Sequence, residues 1–98
     1  MAASLRWQAE AGVLRLAGEL DRDTLLPLWQ QRATLMQQAE SIDVSGLDRV
    51  DSPGLALLVH LHETARQQGR APRFTGITDK LASLITLYNL QKIIVENV

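Results

Sequence analysis

Apolar and polar residues alternate over residues 4 to 8 (SLRWQ) and again over 13 to 17 (VLRLA), with an Ala-Gly step between the two runs. A period of two predicts a hairpin of two half-buried strands. From about residue 22 to 39 the period lengthens, and Leu25, Leu28, Trp29, Arg32, Leu35, Met36 and Ala39 recur at helical spacing. Asp21 and Asp23 offer N-caps for that helix, and Pro27 falls early enough for its missing N–H to cost little.

The second half alternates strands with helices. Ser41 to Ser45 predicts a short strand with Ile42 and Val44 on one face, and Gly46 to Asp51 a loop that returns Val50 to the core. Ser52 starts the most apolar helix, with Ser52 as N-cap and Pro53 at the first helical position; it runs to about Gln68, where Gly69 stops it. Pro72 to Thr75 predicts a strand, Thr78 to Asn89 a helix capped by Thr78, and Ile93, Ile94 and Val95 a last buried strand. The order ββαβαβαβ predicts an α/β domain: a mixed sheet with helices packed on it and the later strands parallel.

Composition narrows what such a domain does. Ninety-eight residues, 46% hydrophobic, suit one globular domain spanning 1–98, and a net charge of -1 lacks the basic footprint of a nucleic-acid binder. With no cysteine there is no disulfide and no thiolate chemistry, which fits a reducing compartment. The start, MAASLRWQAEAG, has no apolar stretch of signal-peptide length, and no run approaches a membrane span. The expectation is a cytoplasmic protein that meets a membrane only through another protein.

Candidate chemistry centres on Asp51-Ser52-Pro53-Gly54. A serine here can be a helix cap and nothing more. Against that, Gly54 leaves the first turn without a side chain, and Leu55, Leu57, Leu58, Val59, Leu61 and Ala65 cover an arc of roughly 200°, wider than a sheet-packing stripe of about 100°. Either a partner protein covers the excess, or a neighbouring helix does. His60 and His62 stand about two turns from Ser52, beyond hydrogen-bond reach, so no nucleophilic triad forms. Two positions apart on a helix they also point to nearly opposite faces and share no metal, leaving His60 solvated and His62 at the core edge. Asp43, Asp48 and Asp51 lack the spacing of a calcium loop. Trp7 and Trp29 are expected in the core or at its edge, without the basic groove that would make them base-stacking platforms.

The stretches LAGELDRDTLLPLW (16 to 29), IDVSGLDRVDSPGLALLVHL (42 to 61) and LITLYNLQKII (84 to 94) resemble the STAS domain, shared by sulfate transporters and anti-sigma factor antagonists. The likeness spans almost the whole chain and is most specific at Gly-Glu-Leu-Asp (18 to 21) and Asp-Ser-x-Gly-Leu (51 to 55). It implies the STAS fold, a mixed four- to five-stranded β-sheet with helices mainly on one side. LLPLW, GLALLVHL and LYNL are similar, more narrowly, to STAS subunits of the bacterial ABC transporter that moves phospholipids between the inner and outer membranes and maintains outer-membrane lipid asymmetry. That resemblance implies a non-enzymatic regulatory subunit without cofactor or metal. It would lie peripheral to the inner membrane on its cytoplasmic side, bound to the ATPase subunit and through it to the permease.

The expected docking surface runs from Asp48 to Gly54 and into the second helix, with Asp51, Ser52, Pro53, Gly54, Ala56, Leu57 and His60 as contact residues. Ser52 is its central hydrogen-bonding group. Trp29 and Leu26 are candidates for added contact area. The alternative within the family is an anti-sigma factor antagonist, in which the serine matching Ser52 is phosphorylated. Pro53 departs from that pattern, standing where those antagonists carry a second Ser or Thr.

Overall fold

The computed structural model describes residues 4–94. Strand β1 (Leu5–Glu10) and strand β2 (Val13–Leu20) form the expected antiparallel hairpin, from Leu5 opposite Gly18 to Glu10 opposite Val13. Their turn is Ala11-Gly12, both at positive φ, the backbone that a two-residue hairpin loop of matching twist requires. Along β2 the pattern is strict: Leu14, Leu16 and Leu20 are buried on one face, while Arg15 on the other is exposed.

The predicted long helix over 22 to 39 is instead two short ones, α1 (Leu26–Gln30) and α2 (Arg32–Met36), broken at Gln31. Asp21 caps no helix. Its Oδ1 accepts the N–H groups of Asp23 and Thr24, and Thr24 Oγ1 donates to the Glu19 carbonyl, so this stretch is spent on a tight turn. At the break, Arg32 donates from Nη1 to the Trp29 carbonyl at 2.8 Å while its guanidinium lies 3.6 Å from the Trp29 ring centroid. The Trp29 carbonyl also accepts a backbone N–H at the C-cap of α1, so the end of this helix is closed off before α2 begins.

Strand β3 (Ser41–Val50) is twice the predicted length and absorbs the expected loop. Burial passes from Ile42 and Val44 to Leu47, a step of three where an unbroken strand allows only two or four, and the pairing with β2 shifts register at the same place. An irregular strand therefore carries the chain toward α3 (Ser52–Gln67). Gly69, at φ 80, follows it in the C′ role, with Arg70 N–H donating to the Ala65 carbonyl.

Strand β4 (Arg73–Thr75) pairs parallel with β3, and α4 (Asp79–Leu87) is capped as expected, Thr78 accepting from Leu81 N–H at 3.2 Å. The sheet order is β1-β2-β3-β4, with β2, β3 and β4 mutually parallel. The predicted last strand does not form at Ile93 and Ile94. Both donate back to the Leu90 carbonyl in a turn, and Ile94 reaches the core from there; Val95 lies outside the described residues.

One apolar cluster joins the sheet to the helices: Leu14, Leu16, Ile42, Val44 and Phe74 below, Leu28, Met36, Leu58, Leu61, Leu81 and Ile85 above. Among the described residues no helix is long and apolar enough to cross a membrane.

Candidate partner-docking site

The end of β2, the end of β3 and the start of α3 converge on Asp51. Its backbone N–H donates to the Leu20 carbonyl, its Oδ1 accepts from Gly54 N–H at 2.8 Å, and its Oδ2 accepts from Arg22 N–H at 3.1 Å. Asp51, not Ser52, is therefore the N-cap, and Ser52 and Pro53 occupy the first turn. Serine and aspartate cap about equally well, so propensity leaves the choice open. Tertiary structure decides it, because two N–H groups from separate segments need acceptors here and only a carboxylate has two oxygens to offer.

Gly54 also differs from expectation in its reason. It is buried, and a Cβ at that position would lie 2.1 Å from the Leu20 carbonyl oxygen. The absent side chain lets α3 press against the end of β2; it does not open the turn to an outside surface.

With the cap taken by Asp51, the Ser52 hydroxyl is released from the backbone. It is exposed and hydrogen-bonds the hydroxyl of Tyr88, at 2.5 Å and 36 residues away in sequence. Tyr88 had no place among the sequence-derived contact residues. Its one legible signal was a polar aromatic inside Leu-Tyr-Asn-Leu at a helix end, which says nothing of where the ring goes.

The apolar arc of α3 is covered by the chain itself: Leu55, Leu57, Leu58, Leu61 and Ala65 are all buried, and α2 packs beside them. Of the seven contact candidates, Gly54 and Leu57 thus face inward, and Asp51 is half-buried and committed to its cap. Ser52, Pro53, Ala56 and His60 remain exposed. Ser52 and Pro53 precede Ala56 by four and three residues and Ala56 precedes His60 by four, so they form one outward stripe.

Trp29 joins that stripe to α1. It is half-buried, meets His60 edge-on with ring centroids 5.3 Å apart, and carries Arg32 on its face. Leu26 beside it is 54% exposed. His62 points the other way and stacks on Phe74, so the two histidines are split as expected. Among the described residues no cluster of His, Asp or Glu could hold a metal ion.

The neighbouring Asp43 makes a closed arrangement. Its Oδ1 accepts from Ser45 Oγ at 2.7 Å and Ser45 N–H at 2.9 Å, and Arg15 lies 3.9 Å from its Oδ2. The Ser45 hydroxyl, then the Ser45 amide and then the Arg15 charge hold the Asp43 pKa below its ordinary value.

Residues 3–96 match the family model described as Mlab, STAS domain. Over 90 residues the chain is 46% identical to the intermembrane phospholipid transport system binding protein MlaB of Escherichia coli (strain K12), covering 92% of this chain and 93% of that one. The protein of the same name from Haemophilus influenzae is 33% identical over 84 residues, 79% of each chain. Among solved structures, the anti-sigma factor antagonist SpoIIAA in its unphosphorylated form superposes with a TM-score of 0.72 at 15% identity, covering 96% of this chain and 88% of that one. An anti-sigma-factor antagonist (STAS) domain protein from Planctomyces limnophilus gives 0.70 at 16% identity, covering 99% and 91%.

Proposed function

The chain belongs to the MlaB, STAS-domain family, and on that premise we propose that it is a non-enzymatic regulatory and assembly subunit of an ABC transporter for intermembrane phospholipid trafficking. In this reading it sits on the cytoplasmic side of the inner membrane and docks on the ATPase subunit, through it reaching the permease. The docking face is the stripe of Ser52, Pro53, Ala56 and His60, flanked by Trp29 and Leu26.

One observation carries the proposal: Asp51 takes the whole capping duty, which leaves the Ser52 hydroxyl facing out of the fold. A polar group flanked by Pro53, Ala56 and the aromatic pair of His60 and Trp29 suits the centre of a specific interface, where truncation costs most. Curated relatives bearing the words "binding protein" of a phospholipid transport system support the choice of partner.

Co-expression with the transporter's ATPase and permease, followed by affinity recovery of the tagged chain, tests it. The parent chain should return both subunits. Ser52→Ala should reduce recovery by roughly five- to tenfold, and Ser52→Glu by more, since it puts charge into the contact. Both variants should keep the parent's circular dichroism. Undiminished recovery by both would remove Ser52 from the docking face. Return of a small kinase-like protein, with a one-phosphate mass gain on Ser52 in the presence of ATP, would favour the antagonist function instead.

A further inference from the structure

Tyr88 is delivered to Ser52 by a firmly closed helix end. It is the C-cap of α4, after which Asn89 turns the chain at φ 61. Leu90 N–H donates to the Ile85 carbonyl at 2.9 Å and Asn89 N–H to the Thr86 carbonyl at 3.1 Å, the two-bond pattern that satisfies a helix's last acceptors. The ring therefore leaves from a fixed backbone position. It is 47% exposed, so burial in the core does not explain where its hydroxyl rests.

Two hydroxyls in mutual contact behave differently from one. Each has a single O–H to donate, and whichever gives its proton to the other, the pair keeps one O–H to direct outward. A lone serine hydroxyl on a helix surface rotates freely, and a partner that binds it must arrest that rotation. Held by Tyr88, the group is oriented in advance.

We infer that Tyr88 is a positioning residue of the docking site: it fixes the Ser52 hydroxyl so that the pair presents one O–H to a hydrogen-bond acceptor on the partner protein. A carbonyl or carboxylate oxygen on the partner is the acceptor that suits this outward O–H. The docking face then extends from α3 to the end of α4. This inference rests on the docking reading above.

Tyr88→Phe removes one oxygen and keeps the ring. Calorimetric titration of the full chain into the purified ATPase subunit should show Tyr88→Phe binding about three- to tenfold more weakly than the parent, in line with one hydrogen bond's net worth. In a Ser52→Ala background the same change should cost little further, since the two groups act as one. Because the chain has a single tyrosine, isotope labelling reports Tyr88 directly, and Ser52→Ala should shift its Cζ resonance without any partner present. Parent-strength binding by Tyr88→Phe, or losses that simply add, would overturn the inference while leaving Ser52 docking intact. An unmoved Cζ resonance would also overturn it. If the parent chain itself does not bind, the docking reading falls and takes this inference with it.

Discussion

Two aspartate-serine pairs lie close together in this chain, and they end in opposite conditions. At Asp43 and Ser45, on β3, the carboxylate accepts from both the amide and the hydroxyl of the serine two residues on, and the serine's one O–H is used within the pair. At Asp51 and Ser52 the carboxylate is drawn to Gly54 and Arg22 instead, and the hydroxyl faces outward to Tyr88. The residue types match. The difference is the supply of unpaired amides: a helix start has several, and they outcompete a neighbouring hydroxyl for the carboxylate. A docking group is produced here by satisfying the backbone with the residue next door.

The harshest way to break this arrangement is Gly54→Ala. The new methyl would meet the Leu20 carbonyl at 2.1 Å, and because backbone atoms cannot step aside, a loss of about 3 kcal/mol is expected in urea unfolding. Gly69→Ala makes the control for space, since nothing lies within 4 Å of its Cβ position; any loss there reports only the strain of its positive φ, about 1 kcal/mol.

A sharper division is expected within the pair itself. Asp51→Ala should cost about 2 kcal/mol, as it strips the cap and also frees the Arg22 amide. Ser52→Ala should change stability by no more than about 0.5 kcal/mol, the usual scale for a surface position, while weakening partner recovery. If thermal melts found the serine substitution the costlier of the two, the assignment of the cap to Asp51 would be wrong.

The smallest effect belongs to Asp43. Its folded-state pKa is depressed, so its contribution is fully present above the unfolded value of about 3.9 and declines as pH falls through the lower folded value. Asp43→Asn should accordingly be less stable than the parent at neutral pH, with the gap closing below about pH 4. Equal urea midpoints for both proteins at neutral pH would show that the Ser45 and Arg15 contacts add nothing net.

Much of the architecture was legible in the chain. The hairpin of residues 5 to 20, the caps at Thr78 and Gly69, and the buried faces of β2 and α3 follow from side-chain periods and from residues with one strong backbone preference. The misreadings have a common cause. Residues 22 to 39 carry a helical period, but Asp21 and Arg32 spend their side chains on nearby backbone groups, and local pattern does not rank those rivals. The reading of β3 as strand and then loop stopped at a bulge, where a period of two fails by one residue. Ile94 kept its predicted burial without its predicted strand, because apolar character demands cover and does not specify the element that brings it.

The docking stripe divides in the same way. That something polar stands at the head of an apolar helix is written in Asp-Ser-Pro-Gly, because capping depends on neighbours within a turn. Which of the two polar residues caps, why the glycine is needed, and what the spare hydroxyl touches are set by Leu20, Arg22 and Tyr88. Those three arrive from β2, the turn after it and the end of α4, and only the assembled sheet and helices bring them within a hydrogen bond's reach.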